Sequence, residues 1–265
     1  METIKNSLHK KILRHGTAVA ALLILWSPIP GTAAEALPHF CYDDTQACGP
    51  SYWGTLADEW KTCSLGQEQS PVDITYPRES SSLGPIKFNW GTTPLKIKNN
   101  GHTLQVNYAP GSSIRVNGVN YQLLQFHFHA PSEHTIGRKA AEMEAHFVHV
   151  SDQGVLAVVG ILMRGGSENR VLKKILHYAP GEGVEVTVAG ESINGNELLP
   201  KDRDYYNYAG SLTTPPCSEG VRWHVLKDSV SVGTGQASEF EHLFHGSTAR
   251  PVQPLNNRRI LRNDD

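Results

Sequence analysis

The heptapeptide QFHFHAP, which begins at Gln125, carries two histidines that could bind one metal ion together. In an extended strand successive side chains alternate between faces, so Gln125, His127 and His129 would share one face. Phe126 and Phe128 would then lie on the opposite, apolar face. Histidines two apart on a strand have Cα atoms about 6.6 Å apart, so both rings can reach the same ion. The segment therefore predicts a strand with an imidazole face and a core face.

A third metal ligand would come from a neighbouring strand, and EAHFVHV, which begins at Glu144, is the candidate. A catalytic zinc keeps three protein ligands and one open position, and histidine is the commonest metal ligand. His146 and His149 have opposite parity, so at most one of them faces the first pair. Parity groups Glu144 with His146, and a carboxylate beside a ligating histidine fixes its tautomer. The pattern favours zinc at His127, His129 and His146, with a packed histidine pair as the alternative.

Short alternating runs between turn signals indicate the strands that must position these residues. They include LKIKNN, HTLQVNY, SIRVNGVNYQLLQFHFH, EAHFVHV, VEVTV and VRWHVL, with turns at 99–101, 117–120 and 151–154. The apolar run LAVVGILM, residues 156–163, predicts a strand buried on both faces. Helical periodicity is confined to short segments from Asn169 and from Ser238. We expect one mainly β domain with a few short surface helices.

Composition excludes several other functions. The chain has 24 lysines and arginines against 26 acidic residues, and no basic patch with interleaved aromatics, so we expect no nucleic-acid partner. The motifs HExxH, GxSxG, GxGxxG and the P-loop are absent from the sequence.

The N-terminus has the pattern of a secretory signal peptide. A basic start precedes the short apolar run AVAALLILW and then a stretch of small residues. We expect a signal peptide over residues 1–34, with cleavage after Ala34 or Ala36, and a domain over residues 35–265. An uncleaved membrane anchor is the alternative, but the apolar run is short for a membrane span. Cleavage would leave an exported chain without a membrane anchor.

All four cysteines lie beyond this leader, at positions 41, 48, 63 and 217. An even number in an exported chain indicates disulfides, and four cysteines allow three pairings. Cys41 and Cys48 are the easiest pair to join, which leaves Cys63 with Cys217. A cysteine metal site is the alternative, although the chain contains no CxxC.

Together the separated motifs QFHFHAPSEHT, EAHFVH, NNGH, QSPVDI and YAGSLTTPPCSEGVRWHVL resemble the alpha-class carbonic anhydrases. The likeness runs from about Tyr52 to Arg262. It implies a single domain around a large, mostly antiparallel twisted sheet, with Zn²⁺ at the bottom of a cavity. The implied activity is reversible hydration of carbon dioxide to bicarbonate and a proton, by attack of a zinc-bound hydroxide and with a histidine proton shuttle. The cysteine pattern resembles exported members, which implies a periplasmic or secreted protein, as a monomer or a homodimer.

The resemblance also implies roles for individual residues. The zinc ligands would be His127, His129 and His146, with Gln125 and Glu144 as partners of the first and third. Glu133 and Thr213 would orient the zinc-bound oxygen, and His102 would be the proton shuttle. The substrate pocket would combine a polar side and an apolar side, formed by Asn100, Gln105, Val148, Val158, Leu212, Thr214, Val221 and Trp223.

One departure from the family concerns Thr55, which stands where many members carry the tyrosine of a WGY motif. A tyrosine hydroxyl there helps to order cavity water, so we expect proton transfer to differ in rate. Two other functions stay open at this stage, a non-catalytic binding module on the same fold and a zinc esterase. The first is disfavoured because all three expected zinc histidines are present.

Overall fold

The computed structural model describes residues 38–263, so the predicted leader and its cleavage points lie outside the described residues. Within that range there are four short α-helices, α1 Trp53–Leu56, α2 Thr62–Leu65, α3 Arg170–His177 and α4 Thr234–Leu243. The strands are β1 Asp73–Ile74, β2 Arg78–Glu79, β3 Lys87–Asn89, β4 Thr92–Asn99, β5 Leu104–Asn107, β6 Ser113–Val116, β7 Val119–His129, β8 Thr135–Ile136, β9 Met143–Ser151, β10 Leu156–Gly165, β11 Glu185–Asn194, β12 Tyr205–Ser211, β13 Glu219–Leu226, β14 Val230–Val232 and β15 Leu261–Arg262. None of the described helices is long and apolar enough to cross a membrane.

Thirteen strands form one large sheet in the order β11-β4-β5-β7-β9-β10-β13-β12-β15-β2, with β14 beside β10 and with β6 joining β3 to β7. The central pairings of β7 with β9 and of β9 with β10 are antiparallel. The pairings of β10 with β13 and with β14, and of β15 with β2, are parallel. The predicted mainly β fold is confirmed, and the sheet is mixed rather than purely antiparallel.

The sheet separates two apolar clusters. Phe126 and Phe147 face each other across β7 and β9, stack with ring centroids 4.7 Å apart, and belong to the larger core on one face. Val148 and Trp223 belong to the second cluster, on the face that carries the paired histidines. Burying each large aromatic or aliphatic side chain contributes about 1.5–3 kcal/mol, so both faces hold the central strands in place.

The local signals in the sequence correspond closely to the observed elements. Asn117 and Gly118 both have positive φ, of 47° and 83°, as a two-residue hairpin turn between β6 and β7 requires. The run 156–163 lies in β10, whose residues from Ala157 to Met163 are buried. Helix α3 begins after Asn169, whose side chain accepts hydrogen bonds from the amides of Val171 and Leu172.

Both predicted disulfides are present, Cys41–Cys48 and Cys63–Cys217. The second joins positions 154 residues apart, and its two cysteines are buried with Trp53 and Trp60. It therefore connects the N-terminal helices to the turn that follows β12.

Candidate metal centre

Three histidines meet where β7 and β9 pair. His127 lies directly opposite His146 in the register of these antiparallel strands, so their side chains share one face. His129, two residues further along β7, shares that face. One ring nitrogen from each of the three histidines lies within 4.8 Å of the others. The structure therefore brings together the three residues that the sequence suggested.

Each of these rings has an outer contact that leaves its other nitrogen directed inward. Nδ1 of His127 lies 2.9 Å from Oε1 of Gln125, and Nδ1 of His129 lies 2.6 Å from the carbonyl oxygen of Thr248. Because both oxygens accept, each Nδ1 carries the proton and each Nε2 keeps a free lone pair. His146 is turned the other way, with Nε2 3.0 Å from Oε1 of Glu144, so that its Nδ1 faces the group.

Burial keeps all three imidazoles in the neutral form that binds metal ions. It lowers the pKa of His129 to about 4 and that of His127 well below its ordinary value, and the neighbouring histidines lower the latter further. Burial also lowers the pKa of His146, although the Glu144 carboxylate opposes that effect.

Glu144 holds a second histidine that the sequence interpretation missed. Oε1 of Glu144 lies 2.8 Å from Nδ1 of His134, and Oε2 accepts a hydrogen bond from the His134 amide at 2.8 Å. Nε2 of His134 lies 2.6 Å from the hydroxyl of Tyr208, which donates to Ser70 at 2.9 Å. Burial would raise the pKa of Glu144, but His134 and His146 hold it well below its usual range. The buried carboxylate is therefore ionised. His134 follows the strand rather than lying in it, so strand parity gave no signal for it.

A second buried carboxylate, Glu133, lies beside the three histidines. Its Oε2 is 3.5 Å from Nε2 of His129 and 3.8 Å from Nδ1 of His146. Its Oε1 accepts a hydrogen bond from the Arg250 amide at 2.9 Å. Burial raises the pKa of Glu133 to about 7, while His146, the Arg250 amide and a side-chain hydrogen bond with Thr213 act in the opposite direction. Glu133 and Thr213 are thus neighbours.

Arg250, which the sequence interpretation missed, joins the segment 63–70 to the backbone that contacts Glu133. Its guanidinium donates to the side chain of Gln69 and to the carbonyl oxygens of Ser70 and Cys63, at 2.7–2.9 Å. Burial lowers the pKa of this guanidinium to about 10, so it stays charged at neutral pH.

The predicted apolar pocket residues lie together beside the histidines. Val148, Val158, Val221 and Trp223 are members of one buried cluster, against which Leu212 packs. The Trp223 ring centroid lies 4.8 Å from that of His146, so the cluster borders the metal-binding side chains.

Thr214 lies in the turn after β12. Its carbonyl oxygen accepts a hydrogen bond from the Cys217 amide at 2.8 Å. The backbone contact therefore fixes this turn close to the Cys63–Cys217 disulfide.

The polar residues predicted for the pocket occupy the β4–β5 turn and β5. Oδ1 of Asn100 accepts hydrogen bonds from the amides of His102 and Thr103, both at 2.9 Å. Gln105 faces His127 across β5 and β7, and its amide donates to Asn107 at 2.6 Å. Asn100 therefore fixes the turn that presents His102.

His102 lines a cavity of about 920 Å³ that also borders His39, Phe40, Gly101 and Thr248. None of the three metal-binding histidines is in its described lining, and Thr248 connects the cavity to them by accepting the His129 hydrogen bond. Burial, and then the neighbouring His39, lower the pKa of His102, while Glu182 raises it.

The expected difference in the rate of proton transfer at the position of Thr55 stays a prediction. The Thr55 side chain is exposed on α1 and its hydroxyl donates to the Tyr52 carbonyl oxygen at 2.7 Å, so it does not reach the cavity. Tyr42 does place a hydroxyl near the site, and its pKa is raised well above its ordinary value by burial and by the Glu133 charge.

His149, the parity alternative to His146, lies on the opposite face. Its Nε2 accepts a hydrogen bond from Nε1 of Trp90 at 3.1 Å, and its Nδ1 lies 3.3 Å from the Ala157 carbonyl oxygen. Both ring nitrogens are therefore occupied within the core.

Comparisons with known proteins agree with this architecture. A family model described as eukaryotic-type carbonic anhydrase matches residues 48–264. A carbonic anhydrase of Neisseria gonorrhoeae is 40% identical over 243 residues, covering 91% of this chain and 95% of the relative. One from Klebsiella pneumoniae is 38% identical, covering 91% and 97%. A solved hyperthermostable carbonic anhydrase identified from an active hydrothermal vent chimney is 47% identical with a TM-score of 0.82, covering 85% of this chain and all of that one. The chain belongs to the eukaryotic-type carbonic anhydrase family.

Proposed function

We propose that this carbonic anhydrase binds one Zn²⁺ at His127, His129 and His146 and uses it to hydrate carbon dioxide reversibly. The observation that carries the proposal is the convergence of three imidazole nitrogens within 4.8 Å of one another. Carbon dioxide and bicarbonate are the small-molecule substrates.

The residues present fit zinc. Nε2 of His129 is buried and has no hydrogen-bond partner among the described residues, so its lone pair is available to a cation. A set of three neutral imidazoles is a ligand set typical of catalytic zinc. Gln125, the Thr248 carbonyl oxygen and Glu144 orient the three rings from outside, as zinc sites require.

When bound there, zinc supplies a Lewis acid that lowers the pKa of a coordinated water to about 7. Glu133 and Thr213 together determine the direction of the hydrogen bonds at the site. A cation at the histidines favours the ionised form of Glu133, which can only accept hydrogen bonds. The Thr213 hydroxyl then donates to Glu133, and its oxygen keeps lone pairs for a donor beside the three histidines. This arrangement orients a protonated oxygen and disfavours ligands that carry no proton.

The apolar cluster beside the histidines suits carbon dioxide. Trp223 borders His146, and Val148 and Val221 belong to the same uncharged cluster, so a small apolar molecule can rest there without tight binding. The product bicarbonate is charged, and an apolar wall does not retain it. The same wall therefore supports both entry of the substrate and release of the product.

Each hydration releases one proton, and His102 is the group that we propose carries it to solvent. Its half-buried ring lines the cavity that reaches Thr248. A histidine titrates close enough to neutral pH to accept a proton from inside the cavity and release it outside.

We further propose that residues 1–34 are a signal peptide and that the domain 35–265 acts in the periplasm or outside the cell. Two disulfides support an oxidising compartment, because such bonds are rare in the cytosol.

Stopped-flow measurement of carbon dioxide hydration tests the proposed function. The purified chain is assayed as isolated, after chelator treatment and dialysis, and after addition of zinc. We expect a rate that disappears with the metal and returns with it. Hydrolysis of an activated ester is followed in the same samples. A chain that cleaves the ester but shows no zinc-dependent hydration would be an esterase, and a chain with neither activity would be a binding module.

A further inference from the structure

The ring of His102 is covered on one face by a phenylalanine. The Phe40 and His102 ring centroids lie 3.7 Å apart with only 15° between their planes. The His39 ring lies further from His102, at 5.8 Å and 27°. A face-to-face contact of this kind restricts rotation of the imidazole about its side-chain bonds.

The backbone of His102 is fixed, whereas its ring has no polar anchor. Asn100 accepts the His102 amide hydrogen bond, and Gly101 adopts a φ of +83° beside the Glu182 side chain. Neither ring nitrogen of His102 hydrogen-bonds to another residue in the described part of the chain. The stack with Phe40 therefore sets the ring orientation and leaves both nitrogens free for water.

Phe40 itself is held by a small covalent loop. It immediately precedes Cys41, whose disulfide to Cys48 closes the loop and whose amide donates to the Cys48 carbonyl oxygen at 2.8 Å. The buried indole of Trp53 donates to the carbonyl oxygens of both cysteines at 3.0 Å.

The tip of the loop is exposed and is stabilised within itself. The Asp43 carboxylate accepts hydrogen bonds from the amide and the hydroxyl of Thr45 and from the Gln46 side chain, at 2.7–2.9 Å. The loop is thus a preformed unit that is anchored to Trp53 at its base.

We propose that Phe40 is a positioning residue for proton transfer, held against His102 by the loop that the Cys41–Cys48 disulfide closes. This inference rests on the proposed function, because it assigns Phe40 to the shuttle of that reaction. The disulfide acts on the shuttle through Phe40, without contacting the imidazole itself. Restricting the ring keeps its nitrogens aligned with the water in the cavity, which a freely rotating side chain would do only part of the time.

Two readouts test the proposal. The first is the NMR signal of the His102 ring protons, assigned with His102→Gln, which the Phe40 ring current shifts upfield whether or not the protein is active. We expect Phe40→Ala to move this signal downfield, Phe40→Trp to retain the upfield shift, and the double variant Cys41→Ser/Cys48→Ser to move it part of the way. Phe244→Ala is the matched control, because Phe244 lines the same cavity but its ring contacts Phe240.

The second readout is hydration kinetics. In weak buffer we expect Phe40→Ala to lower kcat about three- to tenfold with kcat/KM unchanged, because only proton transfer is impaired. Phe40→Trp and Phe244→Ala should retain the wild-type kcat, and small imidazole buffers should restore Phe40→Ala. The disulfide variant should lower kcat in the wild-type background but not in the Phe40→Ala background.

The outcomes separate this inference from the proposed function. A wild-type chain without zinc-dependent hydration contradicts the proposed function, and the NMR shift still reports the stack. If the wild type is active, an unchanged or increased kcat in Phe40→Ala overturns the positioning role. An unmoved His102 signal in Phe40→Ala also overturns it. So does a disulfide effect that persists when Phe40 is absent.

Discussion

Oε1 of Glu144 lies 3.0 Å from Nε2 of His146, and both side chains are buried. The carboxylate is ionised, so the proton of His146 lies on Nε2 and its Nδ1 faces the other histidines. His127 and His129 are oriented the opposite way, with Nδ1 outward. One buried charge therefore decides which nitrogen of the third ligand is available.

Glu144→Gln should weaken zinc binding by about 10- to 100-fold, because a neutral amide no longer favours the required tautomer. Competition with a chelator measures the dissociation constant of the metal. Glu142→Gln is the control, since Glu142 is exposed and lies just before β9. Equal zinc affinities of the two variants would contradict the role of Glu144.

Thr213→Val should lower kcat/KM for hydration by about 100-fold while zinc content stays at one per chain. The substitution preserves volume but removes the hydroxyl that hydrogen-bonds to Glu133, so the reacting oxygen is no longer oriented. Stopped-flow kinetics and metal analysis of the same sample check it, with the exposed Thr187→Val as control. A variant with wild-type kcat/KM would remove Thr213 from the mechanism.

His102→Ala should lower kcat in weak buffer by about tenfold or more, because proton release loses its relay. Adding a small imidazole buffer should restore the rate, and kcat/KM should not change. His177→Ala is the comparison, since His177 is exposed on α3. Turnover that is independent of both the substitution and the buffer would refute the shuttle assignment.

The stability of the fold should decrease in acid through His149. Burial lowers its folded-state pKa to about 3, against about 6.5 in an unfolded chain. Below pH 6.5 the unfolded chain binds a proton that the folded chain does not, so the free energy of unfolding falls as the pH falls towards 3.

In His149→Gln this contribution is absent. The slope of the unfolding free energy against pH should be shallower between pH 6 and pH 4, by up to about 1.4 kcal/mol per pH unit. Denaturant titrations of both proteins at several pH values measure the difference, in which the shared titrating groups cancel. Equal slopes for the two proteins would contradict the contribution of His149 to acid sensitivity.

Strand alternation predicted much of the centre of the site. It placed His127 and His129 on one face and allowed only one of His146 and His149 to share it, and the grouping of His146 with Glu144 favoured His146. The pairing of β7 with β9 then put His127 opposite His146. The Phe126 face was predicted in the same way.

The surroundings of the site could not be predicted from local pattern. His134, Thr248 and Arg250 lie outside the regular strands, and their contacts join distant parts of the chain. The Arg250 amide, for example, bonds to Glu133 across 117 positions. Tyr42 was missed for the same reason, since its position depends on a loop closed by a disulfide and anchored on Trp53.

The most direct test of the zinc centre is a titration of the metal-free protein with zinc, followed by the rate of carbon dioxide hydration. We predict that the rate rises linearly and stops rising at one equivalent per chain, and that His129→Ala stays inactive over the same range. Hydration by the metal-free protein, or a wild-type titration curve from His129→Ala, would contradict the account.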